Sequence, residues 1–64
     1  MFGVNDVVVP TVNNAESLDK PVPCYRILQI GMGRVLAENT ETEEITDLTE
    51  GKEEPIEYYY EKYN

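Results

Sequence analysis

The sequence contains no histidine and no tryptophan, and it has a single cysteine. Without histidine the chain lacks the side chain that most often acts as a general base near neutral pH, and also the commonest metal ligand. One cysteine cannot close an internal disulfide, which excludes the disulfide-stapled class of small secreted domains. No apolar run approaches the roughly 20 residues that a membrane-spanning helix needs. We therefore expect neither a metal, a cofactor nor a membrane to be part of the function.

The 64 residues suffice for one small domain, over residues 1–64. A chain of this size buries only roughly 60% of its unfolded surface, which leaves little room for an enclosed substrate pocket. The N-terminus has no positively charged region, and Asn5 and Asp6 interrupt its apolar residues, so it does not resemble a signal peptide. The lone Cys24 fits a reducing compartment, and a cytoplasmic location is expected, in the host cell if the protein is viral.

The net charge of −8 is confined to the second half of the chain. In residues 1–37 three acids balance three basic side chains, whereas residues 38–64 carry ten acids against Lys52 and Lys62. Such asymmetry indicates an acidic tail or an acidic recognition surface. It argues against direct binding of nucleic acid or of anionic membranes, both of which require clustered cations. A partner should be basic; the alternative is that the acids only keep the protein soluble.

The first half of the chain predicts three strands. Residues 4–9 are rich in valine and read as a first strand, and residues 10–23 form a long loop with a short helical turn near residues 15–18. Residues 24–30 are apolar on both faces, with Leu28 and Ile30 opposite Tyr25 and Ile27, which is typical of a central strand. Two glycines then predict a tight hairpin at residues 31–33, which leads into a strand over residues 34–39.

The second half is less clearly patterned. Residues 43–48 predict a fourth strand, and residues 49–55 a polar turn around Gly51. The last segment fits two structures. A strand over residues 56–60, which we favour because tyrosine prefers strands, would place Ile56, Tyr58 and Tyr60 on one face. A helix would instead align Ile56, Tyr59, Tyr60 and Tyr63 at the i, i+3, i+4 and i+7 positions.

Two segments resemble SH3-like small barrels of the KOW and Tudor type. Such barrels open with an apolar residue, Gly-Asp and alternating valines, and residues 3–9 read Gly-Val-Asn-Asp-Val-Val-Val, with Asn5 in place of the glycine. The strand, turn and strand at residues 25–30, 31–33 and 34–36 resemble the elements that follow. The resemblance implies an all-β fold, a five-stranded SH3-like small barrel with a possible short C-terminal helical turn. It also implies a protein that binds a partner rather than one that catalyses.

The motifs of catalytic and ligand-binding sites are absent or incomplete. Gly31 and Gly33 lack the third glycine of a dinucleotide-binding loop, because Leu36 occupies its position. Residues 47–57 fail the spacing of a calcium loop. Cys24 has no histidine or second cysteine to activate it, and we expect it to be a small buried core residue. The chain is therefore not expected to be an enzyme.

We consider first an inhibitory binding module that presents an acidic face to the basic groove of a nucleic-acid-handling host protein. Glu41 and Glu43, alternating along a strand, would form a row of negative charge in place of phosphates. Small viral proteins recurrently mimic DNA in this way, and the chain is similar to them in size and acidity. The acidic side chains of this predicted face are Glu38, Glu41, Glu43, Glu44, Asp47, Glu50, Glu53, Glu54, Glu57 and Glu61.

The alternative is a structural or assembly component, such as a virion or complex subunit. Tyr58, Tyr59 and Tyr60 are consecutive and cannot all point inward, so at least one should be exposed. Tyr59 and Tyr63 are the residues that we expect to form such a tyrosine-rich interface, because tyrosine is enriched at protein interfaces. A third hypothesis leaves residues 38–64 disordered until a partner orders them.

Overall fold

The computed structural model describes residues 1–63, and within them the chain forms a single antiparallel sheet. The spatial order of the strands is β4-β3-β2-β1-β5. The strands are β1 (Val7–Pro10), β2 (Tyr25–Gly31), β3 (Arg34–Asn39), β4 (Ile45–Asp47) and β5 (Tyr60–Lys62); the helix α1 covers Ile56–Tyr59. The prediction of an all-β fold with five strands and a short helical turn near the C-terminus is confirmed. Closure of the sheet into an SH3-like barrel stays a prediction.

Strand β1 begins at Val7 and not at Val4, because a turn occupies the preceding residues. The Asp6 carboxylate accepts a hydrogen bond from the Gly3 N–H at 2.8 Å, and the Asp6 N–H donates to the Gly3 carbonyl at 3.1 Å. Asn5 adopts a φ of 78°, which asparagine tolerates better than most residues. Side-chain bonding of this kind competes with strand backbone, and the predicted strand at residues 4–6 is therefore wrong.

The long connection between β1 and β2 contains the predicted helical turn, a 3₁₀ helix over Ala15–Leu18. Asn14 precedes this turn, and its side-chain oxygen accepts a hydrogen bond from the Glu16 N–H at 3.0 Å. The amide nitrogen of Asn14 donates to the Tyr59 carbonyl at 3.2 Å. The same asparagine thus starts the turn and ties the connection to helix α1.

Strand β2 lies between β1 and β3, as predicted for a strand that is apolar on both faces. A bulge at Leu28 interrupts its pairing with β3, since the register passes from Ile27 opposite Ala37 to Gln29 opposite Leu36. Ile30 then lies opposite Val35, a core residue, and so shares the core-facing side of the sheet. The prediction that Ile30 points away from Tyr25 and Ile27 is wrong, because the sequence does not reveal the extra residue.

A two-residue turn joins β2 and β3, closed by the pair Gly31 and Arg34. The left-handed residues are Met32, with a φ of 53°, and Gly33, with a φ of 74°. This is the backbone of a type I′ hairpin, in which both central residues need positive φ. The predicted hairpin is confirmed, but a methionine and not Gly31 occupies its first central position.

Met32→Asn is expected to raise the free energy of unfolding by about 0.5–1 kcal/mol, because asparagine adopts positive φ at lower cost than methionine. Met32 is fully exposed, so the substitution removes no packing. Chemical denaturation followed by circular dichroism measures the change. Gly33→Ala is the matched control: no atom lies within 4 Å of the added Cβ, and its backbone conformation alone should destabilise the protein. An unchanged or lower stability of Met32→Asn would contradict this account of the turn.

The second half of the chain departs from expectation at its end. Strand β3 covers the predicted residues, whereas β4 is limited to three residues, Ile45–Asp47. The strand predicted over residues 56–60 is wrong: α1 comes first, and the chain enters β5 only at Tyr60. The pairing of β5 with β1 places Tyr60 opposite Pro10, and this pairing starts the strand there.

The core occupies one face of the sheet and contains residues from both halves of the chain. Its buried apolar residues are Val8, Tyr25, Ile27, Val35, Ala37, Leu48 and Tyr60. Phe2, Ile56 and Tyr59 pack against this cluster and are partly buried. Cys24 is only half-buried and lies outside the cluster, so its predicted place in the core is wrong.

Candidate functional site

Seven of the ten acidic residues of the second half lie in two groups, one at each end of strand β4. Glu41, Glu43 and Glu44 occupy the turn that precedes β4. The second group follows β4, in the connection to α1 and in α1 itself, and consists of Glu50, Glu53, Glu54 and Glu57. Glu61 is on β5, at the other edge of the sheet. All eight of these side chains are exposed.

The turn before β4 is organised by Asn39. Its side-chain oxygen accepts hydrogen bonds from the N–H groups of Glu41 at 2.8 Å and Thr42 at 3.1 Å. The backbone of Asn39 bonds to that of Glu43 at 2.8 Å and of Glu44 at 2.9 Å. Glu43 has a left-handed φ of 64°. The predicted row of Glu41 and Glu43 on a strand is therefore wrong, because side-chain bonding by asparagine favours a turn here.

Two members of the predicted face, Glu38 and Asp47, are engaged within the fold. Glu38 lies opposite Arg26 across β2 and β3 and forms an ion pair with it. Asp47 accepts hydrogen bonds from the hydroxyl and the N–H of Thr49, and its carboxylate lies 3.1 Å from Arg34. These hydrogen bonds from Thr49, together with Arg34, hold the pKa of Asp47 below its usual value. Both carboxylates are therefore already satisfied within the chain.

The other eight acids form no ion pair with any residue that the structure describes. Three of the five basic side chains are bound elsewhere: Arg26 and Arg34 in the pairs above, and Lys62 by Asp6 at 3.6 Å. The amino group of Lys52 lies 5.6 Å from the centre of the Tyr59 ring, a cation–π arrangement. None of the eight exposed carboxylates is therefore neutralised by an ion pair with a described residue, and their field reaches solvent.

The two tyrosines predicted as an interface differ in exposure. Tyr59 is partly buried against the core, and its ring meets Tyr58 edge to face, with 5.1 Å between the ring centres. Tyr63 is 62% exposed, and its N–H donates to the Val7 carbonyl at 2.9 Å. Tyr58, the preceding residue, is 47% exposed. The exposed tyrosines are therefore Tyr58 and Tyr63, whereas Tyr59 packs against the core.

A polar cluster under the long loop is not apparent from the sequence. Glu16 accepts hydrogen bonds from two buried tyrosines, Tyr25 at 2.9 Å and Tyr60 at 2.8 Å, one on each carboxylate oxygen. The two rings meet edge to face, 5.8 Å apart between centres. Burial, and then the hydrogen bond to Glu16, raise the pKa of Tyr25 to about 12; burial also raises the pKa of Tyr60. Nothing in the local pattern marks Glu16, because its partners are 9 and 44 residues away.

Comparisons with protein-family models, with curated proteins and with solved structures find no match to this chain. Over residues 1–63 there is no cluster of three or more cysteine, aspartate and glutamate side chains placed to hold a metal ion. No helix in that part of the chain has the length and apolar character needed to cross a membrane.

Proposed function

We propose that this protein is a non-enzymatic binding module whose exposed acidic groups, on either side of β4, bind the basic surface of a partner protein. The observation that carries the proposal is that the seven exposed carboxylates of these two groups form no ion pair with a described residue, while three of the five basic side chains are paired with other acids. A solubilising surface generally mixes charges of both signs. Here the charge is of one sign and concentrated in one half of the chain.

The proposed mechanism is occlusion of a nucleic-acid site. A basic groove that binds phosphates attracts carboxylates for the same electrostatic reason, and long-range attraction accelerates the encounter. The turn at residues 40–44 and the connection at residues 48–55 would then contact separate parts of the groove, because β4 separates them. We propose further that the protein is viral and that its target is a nucleic-acid-handling protein of the host. This proposal is based on the similarity of the chain, in size and charge, to small viral proteins that mimic DNA.

Reversing either acidic group is expected to abolish capture of the partner. One variant combines Glu41→Lys, Glu43→Lys and Glu44→Lys, and a second combines Glu50→Lys, Glu53→Lys and Glu54→Lys. The measurement is a pull-down from host lysate at low and at high salt, with duplex DNA as a competitor. The unmodified protein should capture a nucleic-acid-binding protein that high salt or DNA releases, and each variant should capture at least about tenfold less.

Asp19→Lys is the matched control, since Asp19 is an exposed acid in the neutral half of the chain. It should leave capture unchanged. If both triple variants captured as much of the partner as the unmodified protein does, the acidic-surface proposal would be contradicted. A captured partner that neither salt nor DNA displaces would also contradict it.

A second candidate function, assembly through tyrosines, is favoured by the exposure of Tyr58 and Tyr63. A variant with Tyr58→Ala and Tyr63→Ala is expected to lower the mass measured by sedimentation, if the unmodified protein sediments as an oligomer. The triple charge reversals should leave that oligomer intact. A monomeric unmodified protein at high concentration would contradict self-assembly.

A further inference from the structure

An apolar cleft of about 370 Å³ lies between the β2–β3 hairpin, the first residues of the chain and helix α1. Its apolar lining comes from Met1, Phe2, Ile30, Val35, Pro55 and Ile56. A cleft of this volume is at the small end of the range of ligand-binding sites, enough for a large side chain and part of its neighbours. Nothing in the sequence pattern indicated it.

The bulge in β2 places Ile30 at this cleft. By adding Leu28 to the strand, the bulge turns Ile30 towards the side of the sheet that carries Val35. Ile30 lies beyond the end of the core and remains 45% exposed, although most isoleucines are buried. On the other side, α1 holds Ile56 partly buried against the core. The floor of the cleft is thus a continuation of the core that solvent can reach.

The charges at the rim favour a basic neighbour. Glu54 and Glu57 line the cleft and have no ion pair among the described residues. The two basic side chains of the lining are both engaged: Arg34 lies 3.1 Å from Asp47, and Lys52 lies over the Tyr59 ring. A ligand therefore meets free carboxylates beside an apolar floor.

We infer that this cleft anchors a segment of the basic partner in which an apolar side chain is flanked by lysine or arginine. This inference rests on the proposed function and assigns the contact that adds specificity to it. The apolar side chain would fill the cleft, and its basic neighbours would meet Glu54 and Glu57. Interfaces commonly obtain most of their binding energy from a few residues buried in well-packed pockets, with contacts around them that exclude water.

Three short peptides test the inference on the full chain: acetyl-Gly-Lys-Leu-Lys-Gly-amide, the same peptide with serine in place of leucine, and the same peptide with glutamate in place of both lysines. Methyl and amide chemical shifts report where each peptide binds. The first peptide should saturably shift the methyl signals of Ile30, Val35 and Ile56. It should bind at least about tenfold more tightly than the serine peptide, the effect of burying one leucine side chain. It should also bind more tightly than the glutamate peptide, whose carboxylates are repelled by Glu54 and Glu57.

Ile30→Ser and Ile45→Ser are the matched variants. Both isoleucines lie on strands and are partly exposed, at 45% and 62%, but Ile30 alone of the two lines the cleft. Binding of the leucine peptide should be lost in the first variant and kept in the second. A variant with Glu54→Lys and Glu57→Lys should reverse the preference towards the glutamate peptide, without any change in the apolar floor.

Equal binding of the leucine and serine peptides, with shifts confined to glutamate amides, would overturn the inference that the cleft binds an apolar side chain. The acidic-surface proposal would not be affected by that result. No shift with any peptide would also overturn the cleft. Failure of the acidic-surface proposal is detected separately, by the pull-down with the triple charge reversals.

Discussion

Glu16→Ala is expected to lower the free energy of unfolding by about 2–4 kcal/mol, more than any exposed acid of the second half would. Glu16 accepts hydrogen bonds from the hydroxyls of Tyr25 and Tyr60, which are 7% and 2% exposed. Alanine leaves both hydroxyls without this acceptor, and an unsatisfied buried polar group costs about 1–3 kcal/mol. For a domain stabilised by about 5 kcal/mol, a loss of this size would unfold a visible fraction of the protein.

Chemical denaturation measures this loss, and three further variants identify its cause. Glu16→Gln keeps one carbonyl acceptor and should lose about half as much. Glu50→Ala, at an exposed carboxylate, should stay within about 0.5 kcal/mol of the unmodified protein. In the Glu16→Ala background, Tyr25→Phe should cost less than it does alone, because the hydroxyl that it removes has already lost its partner. A Glu16→Ala protein as stable as Glu50→Ala would refute the structural role of this cluster.

The second large effect is expected within the three consecutive tyrosines. Tyr60→Ala should lower the free energy of unfolding by about 3–5 kcal/mol, since Tyr60 is among the largest fully buried side chains. Tyr59→Ala should cost less, because Tyr59 is only partly buried against the core. Tyr58→Ala should cost about 0.5 kcal/mol or less, because Tyr58 is 47% exposed.

Denaturant midpoints and slopes for the three alanine variants give this ranking directly. The ranking separates the observed junction of helix and strand from the two regular alternatives. A continuous strand would bury Tyr58 with Tyr60, and a continuous helix would bury Tyr59 with Tyr60 to similar extents. If Tyr58→Ala lowered the free energy of unfolding as much as Tyr60→Ala does, the change from helix to strand at Tyr60 would be contradicted. Because Tyr58 is dispensable to the fold, Tyr58→Ala also suits the assembly test.

The acidic surface could be predicted from the sequence only in part. Composition alone located the excess charge in residues 38–64. It did not show that Glu38 and Asp47 would pair with Arg26 and Arg34. Those pairs depend on which strands become neighbours, and strand register is a property of the assembled sheet. The sheet order likewise places Glu61, on β5, at the edge opposite the two groups that flank β4.

Neighbouring residues are sufficient to specify the strand from Arg34 to Asn39, the 3₁₀ turn from Ala15 to Leu18, and the hairpin at residues 31–33. Backbone propensity and glycine sterics act over a few residues, so a local pattern is sufficient for them. Local patterns are not sufficient to specify the bulge at Leu28, the helix at residues 56–59 or the hydrogen bond from the buried Tyr60 to Glu16. Each of these depends on contacts between segments far apart in the chain, and the free energy of those contacts outweighs local preference where the two disagree.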